Sequence, residues 1–151
     1  MVVELVSVGT ELLLGNIVNT NTQYLAEQCA LLGLSLYHQS VVGDNHDRLA
    51  EVVKTALGRS DVVILTGGLG PTEDDLTKEV CAEVMGYKLV EDPHTREHLE
   101  QFFKNNIYKE IPDNNWKQAM VPEGALILDN HNGMAPGLIL EKDGKTAILL
   151  P

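Results

Sequence analysis

The sequence is poor in basic residues. Its 151 residues include 11 lysines and arginines against 22 aspartates and glutamates, which gives a formal net charge of −11. A surface of this charge repels nucleic-acid phosphates and anionic membranes. We therefore expect no direct nucleic-acid partner and no membrane partner, and any phosphate that the protein binds must be met locally by backbone N–H groups or by a metal ion.

Long apolar runs, a basic leader segment and repeats are also lacking. No stretch approaches the roughly 18 apolar residues of a membrane-spanning helix, and the chain begins with an apolar strand rather than a basic region. The only two cysteines, Cys29 and Cys81, fall within helical patterns, which favours buried thiols over a disulfide or a metal pair. With 44% hydrophobic residues, the sequence predicts one soluble cytoplasmic domain over residues 1–151.

Apolar runs and helical patterns alternate along the first part of the chain. Strands are predicted over 2–8, 34–42 and 61–65, and helices over 20–32, from Asn45 onward and over 75–85. The second helix has the clearest apolar stripe, which consists of Leu49, Val52, Val53, Ala56 and Leu57. Because strands that alternate with helices form parallel sheets, we expect a parallel sheet with helices on both faces.

The last part of the chain predicts helices and then strands. Asp92 can cap a helix that begins at Pro93, and a shorter helical piece follows over 112–120. Strands are predicted over 125–128, 137–141 and 145–150, and Asp143-Gly144 between the last two is a hairpin signal. The chain stops at Pro151 directly after an apolar strand, so we expect the natural domain to continue.

Three glycine-containing loops should meet at one edge of this sheet. They cover 9–15, 66–75 and 130–137, and open α/β sheets bind ligands at the carboxyl ends of their strands. The second loop reads Thr-Gly-Gly-Leu-Gly-Pro-Thr-Glu-Asp-Asp. Its glycines suit close approach of the backbone to phosphate, whereas its acids repel phosphate.

Neither common phosphate motif explains loop 66–75. The dinucleotide fingerprint needs glycine where Glu73 stands, and the P-loop needs a Lys-Ser/Thr pair that is missing. In one interpretation, Glu73, Asp74 and Asp75, together with Glu11, supply oxygen ligands to Mg²⁺, which commonly joins one or two carboxylates to substrate phosphates. In the other, Asp74 or Asp75 only caps the following helix, and the other acids favour its N-terminal dipole.

Four segments in order carry a resemblance to a known family: 9–21, 66–77, Asn-Trp-Lys-Gln-Ala at 115–119, and 130–137. Together they resemble the N-terminal domain of the CinA family of competence/damage-inducible proteins, whose domain belongs to the molybdopterin-binding, MoaB/MogA-like superfamily. The resemblance implies an α/β fold with three α/β/α layers, which agrees with a mostly parallel sheet and a C-terminal antiparallel hairpin.

The resemblance also implies an activity. Domains of the CinA type are associated with metal-dependent hydrolysis of ADP-ribose to AMP and ribose 5-phosphate, linked to pyridine-nucleotide recycling. Many are fused to a C-terminal amidase, which is absent from these 151 residues. Two alternatives stay open: a non-catalytic module that binds a pterin or nucleotide, and a regulatory protein of competence or DNA-damage responses. The superfamily often forms oligomers, so a homodimer or homotrimer is expected.

The predicted site residues combine the motif chemistry with this resemblance. In the superfamily, the functional aspartate of the glycine motif corresponds to Asp75, and the acidic residue of the first loop corresponds to Glu11. We expect these two residues and Asp74 to be catalytic and to bind Mg²⁺, Mn²⁺ or Co²⁺. The N–H groups of residues 67–70 are expected to hold a pyrophosphate, and asparagines are expected to orient its ribose or base. The predicted substrate-binding residues are Gly67, Gly68, Gly70, Thr72, Asn19, Asn21, Asn130 and Gly133, with Asn132 as a further ligand-orienting residue.

Overall fold

The computed structural model describes residues 1–105 and 111–151. Within them, the strands are β1 (Val2–Val8), β2 (Ser35–Val42), β3 (Val62–Thr66), β4 (Leu89–Glu91), β5 (Met120–Pro122), β6 (Leu126–Leu128), β7 (Gly137–Lys142) and β8 (Lys145–Leu150). The α-helices are α1 (Thr10–Leu13), α2 (Thr20–Leu31), α3 (His46–Arg59), α4 (Thr77–Met85) and α5 (Pro93–Asn105), and a 3-10 helix covers Asp113–Ala119. No helix in the described ranges has the length and apolar character needed to cross a membrane.

The main sheet has the strand order β2-β1-β3-β8-β7-β6. The first four of these strands are parallel, and β7 runs antiparallel to both β8 and β6. This arrangement confirms the predicted parallel sheet with a C-terminal hairpin. At the hairpin turn, Asp143 and Gly144 have φ values of 52° and 73°, which match the twist of a tight two-residue connection.

Helices cover both faces of the sheet, as the alternation of elements predicted. On one face, α3 inserts its apolar stripe, and Leu49, Val53 and Ala56 are completely buried against strands β1, β3 and β8. On the other face, α2 covers Val3 and Leu5 of β1 with Cys29 and neighbouring apolar side chains. Cys29 and Cys81 are both buried free thiols, which confirms that prediction.

A second, small sheet was not predicted. Strands β4 and β5 pair antiparallel through three residue pairs. Along the chain, α5 and the 3-10 helix lie between them. Strands this short carry little periodic signal of their own. The cap of α5 is as expected, because Asp92 Oδ2 accepts a 2.6 Å hydrogen bond from the N–H of Thr95.

Candidate functional site

A cavity of about 180 Å³ lies at the carboxyl edge of the parallel strands. The loop after β1 and the end of β3 line it, and its polar lining includes Glu11, Asn19, Asn21 and Thr66. Ligand pockets usually measure about 300–1,000 Å³, so this cavity is sized for one ring or one phosphate group of a larger ligand. The rest of such a ligand would have to lie on the neighbouring loops.

The paired glycines after β3 are required by the backbone. Gly67 has φ 92°, and a Cβ there would lie 2.3 Å from the carbonyl oxygen of Val8; Gly68 has φ 67°, and a Cβ there would lie 2.2 Å from Thr77 Oγ1. Thr77 then fixes both glycines, because its hydroxyl donates to Gly67 O at 2.7 Å and its N–H donates to Gly68 O at 3.0 Å. No other residue fits these positions without strain.

One part of the predicted phosphate cradle is corrected. The N–H of Gly67 donates to the carbonyl of Leu150 at 3.0 Å, so it continues the sheet and is not available to a ligand, although Gly67 still lines the cavity. Within the described ranges, the N–H groups of Gly68, Leu69 and Gly70 form no hydrogen bond. The backbone N–H groups of this loop that have no hydrogen bond in the described ranges therefore begin at Gly68.

The two aspartates of the loop converge on one hydroxyl group. Thr72 Oγ1 lies 2.5 Å from Asp74 Oδ1 and 2.5 Å from Asp75 Oδ2, and the N–H of Thr72 donates to Asp75 Oδ2 at 2.9 Å. A Cβ on Gly70 would lie only 2.5 Å from Asp75 Oδ2, so the third glycine makes room for this carboxylate. The hydrogen bond from Thr72 holds the pKa of Asp74 below its ordinary value, and the charge of Lys117 contributes in the same direction.

The capping interpretation of these acids is wrong. Helix α4 begins at Thr77, two residues later than predicted, and its N-cap residue Leu76 makes no side-chain capping bond. Asp75 turns back to Thr72 instead, because a short polar side chain can satisfy nearby backbone groups outside a helix.

Glu11 stands apart from the two aspartates. It lies in α1, its carboxylate rests against Gly9, and it lines the cavity, whereas neither Asp74 nor Asp75 does. No group of three or more His, Cys, Asp or Glu side chains placed to hold a metal ion occurs in residues 1–105 and 111–151. The predicted three-carboxylate set is thus not assembled. The pair of carboxylates at 74 and 75 still suits Mg²⁺, which usually completes its shell with water and substrate phosphates.

The asparagines near the cavity divide into two kinds. Asn19 lines the cavity, yet its Oδ1 accepts from the N–H of Thr22 at 3.2 Å and caps α2, and its Nδ2 donates to Ser7 Oγ at 2.9 Å. Its position is therefore explained by the fold. Asn21 lines the same cavity on the first turn of α2. Asn21 is therefore the candidate among these asparagines for contact with a ligand in the cavity.

The loop 130–137 reaches the same edge without lining the cavity. Its location follows from the sheet, because Leu138 at the start of β7 pairs with Leu149 at the end of β8. Asn130 organises this loop: its Oδ1 accepts from the N–H of Asn132 at 3.0 Å, and its Nδ2 donates to Ala135 O at 2.9 Å. The loop, including Gly133, lies two strands away from β3, so only a ligand that extends along the edge could touch it.

Two lysines at the site were missed by sequence reasoning. Lys117, in the 3-10 helix, donates to Thr72 O at 2.8 Å and to Asp75 O. Lys78, on α4, is buried and donates to Lys117 O at 2.6 Å. Burial lowers the pKa of Lys78 to about 8, against the opposing effect of the Glu79 carboxylate. Only the segment 115–119 of the family resemblance marked this region, and it gave no role to the lysine.

Known proteins share this sequence and architecture. A family model described as "Probable molybdopterin binding domain" matches residues 4–151. The chain is 58% identical over all its 151 residues to a protein of Caldicellulosiruptor bescii named "Putative competence-damage inducible protein", and 55% identical over the same length to its namesake in Clostridioides difficile. The chain spans 36% of the length of each of these relatives.

Solved structures agree with these matches. The CinA protein of Thermoplasma acidophilum, described as having unknown function, superposes with a TM-score of 0.88 at 33% identity, covering 99% of this chain and 87% of that one. The molybdopterin biosynthesis enzyme MoaB of Thermus thermophilus superposes with a TM-score of 0.63 at 16% identity over 99% and 80% of the two chains, which shows a shared fold. The chain therefore belongs to the molybdopterin-binding domain family and, within it, to the CinA group.

Proposed function

We propose that this domain hydrolyses the pyrophosphate linkage of ADP-ribose, or of a similar nucleoside diphosphate compound, with a divalent metal ion. The products would be AMP and ribose 5-phosphate, which would connect the reaction to pyridine-nucleotide recycling. In this reaction a water oxygen forms a bond to one phosphorus atom, the bond from that phosphorus to the bridging oxygen breaks, and a proton is released.

The observation that carries the proposal is the convergence of Asp74 and Asp75 on Thr72, next to backbone N–H groups that form no hydrogen bond within the described residues. Two hard carboxylate ligands beside N–H groups of a glycine loop give a phosphate-metal complex both kinds of partner that it needs. Isolated carboxylates would repel the same phosphate. The CinA resemblance narrows the substrate class to ADP-ribose-like compounds.

Each part of the site has a separate task in this proposal. The N–H groups of residues 68–70 would bind the phosphate oxygens, and Asn21 would orient the group that enters the cavity. Asp74 and Asp75 would hold the metal ion, which when bound polarises the phosphoryl oxygens and lowers the pKa of a bound water molecule. Glu11, at the cavity wall, would contact the ligand rather than share this ion.

Product analysis tests the proposal. The domain would be incubated with ADP-ribose, ADP and FAD in the presence of Mg²⁺, Mn²⁺ or Co²⁺, and the products separated by ion-exchange chromatography. We expect AMP and ribose 5-phosphate from ADP-ribose, and no product when the metal is removed with EDTA. Absence of AMP with all three metals would contradict the proposed hydrolysis.

A non-catalytic binding module is the second candidate. It is favoured by the family to which the chain belongs and by two hydrogen bonds from Thr72, whose hydroxyl donates to Asp74 and whose N–H donates to Asp75, so that each carboxylate has a partner without a metal ion. Calorimetry distinguishes the two functions: a binding module would bind a pterin or nucleotide and return it unchanged. A role in competence or DNA-damage responses would act through protein partners, since the net charge of −11 opposes DNA.

We also propose that the domain assembles into a homodimer or homotrimer. Large apolar side chains are exposed around α1 and α2: Leu13, Leu14, Ile17, Val18, Tyr24, Leu31 and Leu32. Large exposed apolar areas are typical of interaction surfaces. Sedimentation equilibrium should therefore give a mass two or three times the 16.5 kDa of the chain.

A further inference from the structure

One ammonium group spans the part of the glycine loop that carries the acids. Lys117 Nζ donates to the carbonyl oxygens of Thr72 and Asp75, which stand on either side of Glu73 and Asp74. The contact joins residues 45 and 42 positions apart, since Lys117 lies in the 3-10 helix. The turn that brings the two aspartates together is thus closed from outside by a single side chain.

The charged side chains next to Lys117 carry a free-energy cost of their own. Lys78 is 5% exposed and holds the main chain of Lys117 through its carbonyl oxygen. Glu79 Oε1 lies 3.8 Å from Lys117 Nζ and 3.9 Å from Lys78 Nζ, whereas its Oε2 is buried with no hydrogen-bond partner in the described part of the chain. Burying the ammonium group of Lys78 costs free energy that an apolar side chain at the same position would not. Such arrangements are concentrated at functional sites.

We propose that Lys117 is the positioning residue of the site, and that its ammonium group fixes the turn from Thr72 to Asp75 so that the carboxylates of Asp74 and Asp75 face the bound phosphate-metal complex. This inference rests on the proposed function. Without the ammonium group, the turn keeps only the hydrogen bonds within residues 72–75, which must hold the two like-charged carboxylates together unaided. Positioning of this kind affects turnover more than substrate affinity, because it acts on groups that stabilise the reacting phosphate.

The test compares Lys117→Met, which removes the charge and the donors, with Lys117→Arg, which keeps both. Lys54→Met, at an exposed position on α3, is the matched control. With ADP-ribose and Mg²⁺ at a temperature well below unfolding, we expect Lys117→Met to lower kcat about 10- to 100-fold with little change in KM, as is typical when the partner of a ligand residue is removed. Lys117→Arg should recover much of the kcat, and Lys54→Met should match the wild type.

Hydrogen exchange gives a readout that does not need activity. The N–H of Asp75 is bonded to Thr72 O, and the N–H of Thr72 is bonded to Asp75 Oδ2, so their exchange rates report the order of the turn. In Lys117→Met, both amides should exchange at least about 10-fold faster, as expected when one anchoring contact of roughly 1.4 kcal/mol is lost. Should Lys117→Met fail to fold, Lys117→Gln keeps one neutral donor and serves in its place.

The outcomes separate the two proposals. An unchanged kcat in Lys117→Met, with slower folding or a lower melting temperature, would show that Lys117 is only a structural contact. A raised KM with unchanged kcat would show direct contact with the substrate. Either result overturns the positioning role. If the wild type produces no AMP, the proposed function fails, whereas unaltered exchange at Thr72 and Asp75 in Lys117→Met refutes the positioning role by itself.

Discussion

Replacement of Gly68 by alanine tests the geometry on which the site is built. The residue has φ 67°, and a Cβ there would lie 2.2 Å from Thr77 Oγ1. Left-handed backbone costs alanine about 1–2 kcal/mol. The new methyl group would also displace the Thr77 hydroxyl, which loses its hydrogen bond to Gly67 O at a cost of about 1 kcal/mol. Displaced packing adds about 1 kcal/mol or more.

The expected loss of stability for Gly68→Ala is therefore about 3–4 kcal/mol, or roughly 6–16 °C in melting temperature for a chain of this size. Two control variants separate its components. Gly144 has φ 73° with open space around it, so Gly144→Ala should cost only the backbone strain of about 1–2 kcal/mol. Gly58 lies within α3 with open space around it, so Gly58→Ala should stabilise the protein by about 0.5–1 kcal/mol.

Urea unfolding of the three variants measures these differences, provided that the slope with denaturant stays constant. In a Thr77→Ala background, the cost of Gly68→Ala should fall most of the way to that of Gly144→Ala, because the colliding hydroxyl is absent and only the tight contacts with the Cβ of residue 77 at 3.3 Å and Val8 Cγ1 at 3.4 Å remain. Equal costs for Gly68→Ala and Gly144→Ala in the wild-type background would refute the close approach of Gly68 to Thr77.

Three further outcomes are expected from single substitutions. Asp92→Ala should destabilise the protein by about 1 kcal/mol in urea unfolding, because the N–H of Thr95 loses its cap. The hydrogen bonds and charge of Arg59 hold the pKa of buried Glu4 below its ordinary value of 4.5. This carboxylate therefore stabilises the fold above pH 4.5, and the effect is lost as pH falls through its folded pKa. Glu4→Gln should reduce the fall in the free energy of unfolding at acid pH, and an unchanged pH dependence would contradict the ion pair. The buried ammonium group of Lys78 has a pKa of about 8 in the folded protein against 10.5 in the unfolded chain, so its charge destabilises the fold below pH 8. This cost is relieved as pH rises from 8 to 10.5. The free energy of unfolding should therefore rise less over this range for Lys78→Met than for the wild type.

Local patterns account for the elements that the sequence predicted correctly. The apolar stripe of α3, the cap at Asp92 and the Asp143-Gly144 turn each involve residues within a few positions of one another, so a short window of sequence contains their cause. The parallel part of the sheet also follows from the alternation of strands and helices, because few arrangements of a parallel sheet are compatible with it.

The errors have an equally physical origin. Asp75 has the residue type and location of a helix cap, but Thr72 competes for its carboxylate three residues upstream, and the outcome depends on the loop conformation that Gly68 and Gly70 allow. The lysine contact at the site joins segments more than 40 residues apart, and no local pattern encodes such a pairing. The separation of Glu11 from the aspartates similarly follows from the tertiary arrangement of two loops.

The rate of AMP release from ADP-ribose with Mg²⁺ is the most direct test of the proposed site. It would be measured for the wild type, for Asp75→Asn and for Glu73→Gln, which makes the same change of charge at an exposed neighbouring residue that forms no hydrogen bond within the described residues. We predict metal-dependent release by the wild type and Glu73→Gln, and a loss of roughly 100-fold or more in Asp75→Asn, since even the partners of metal ligands are worth about 10- to 100-fold. Equal rates in Asp75→Asn and the wild type would contradict the account.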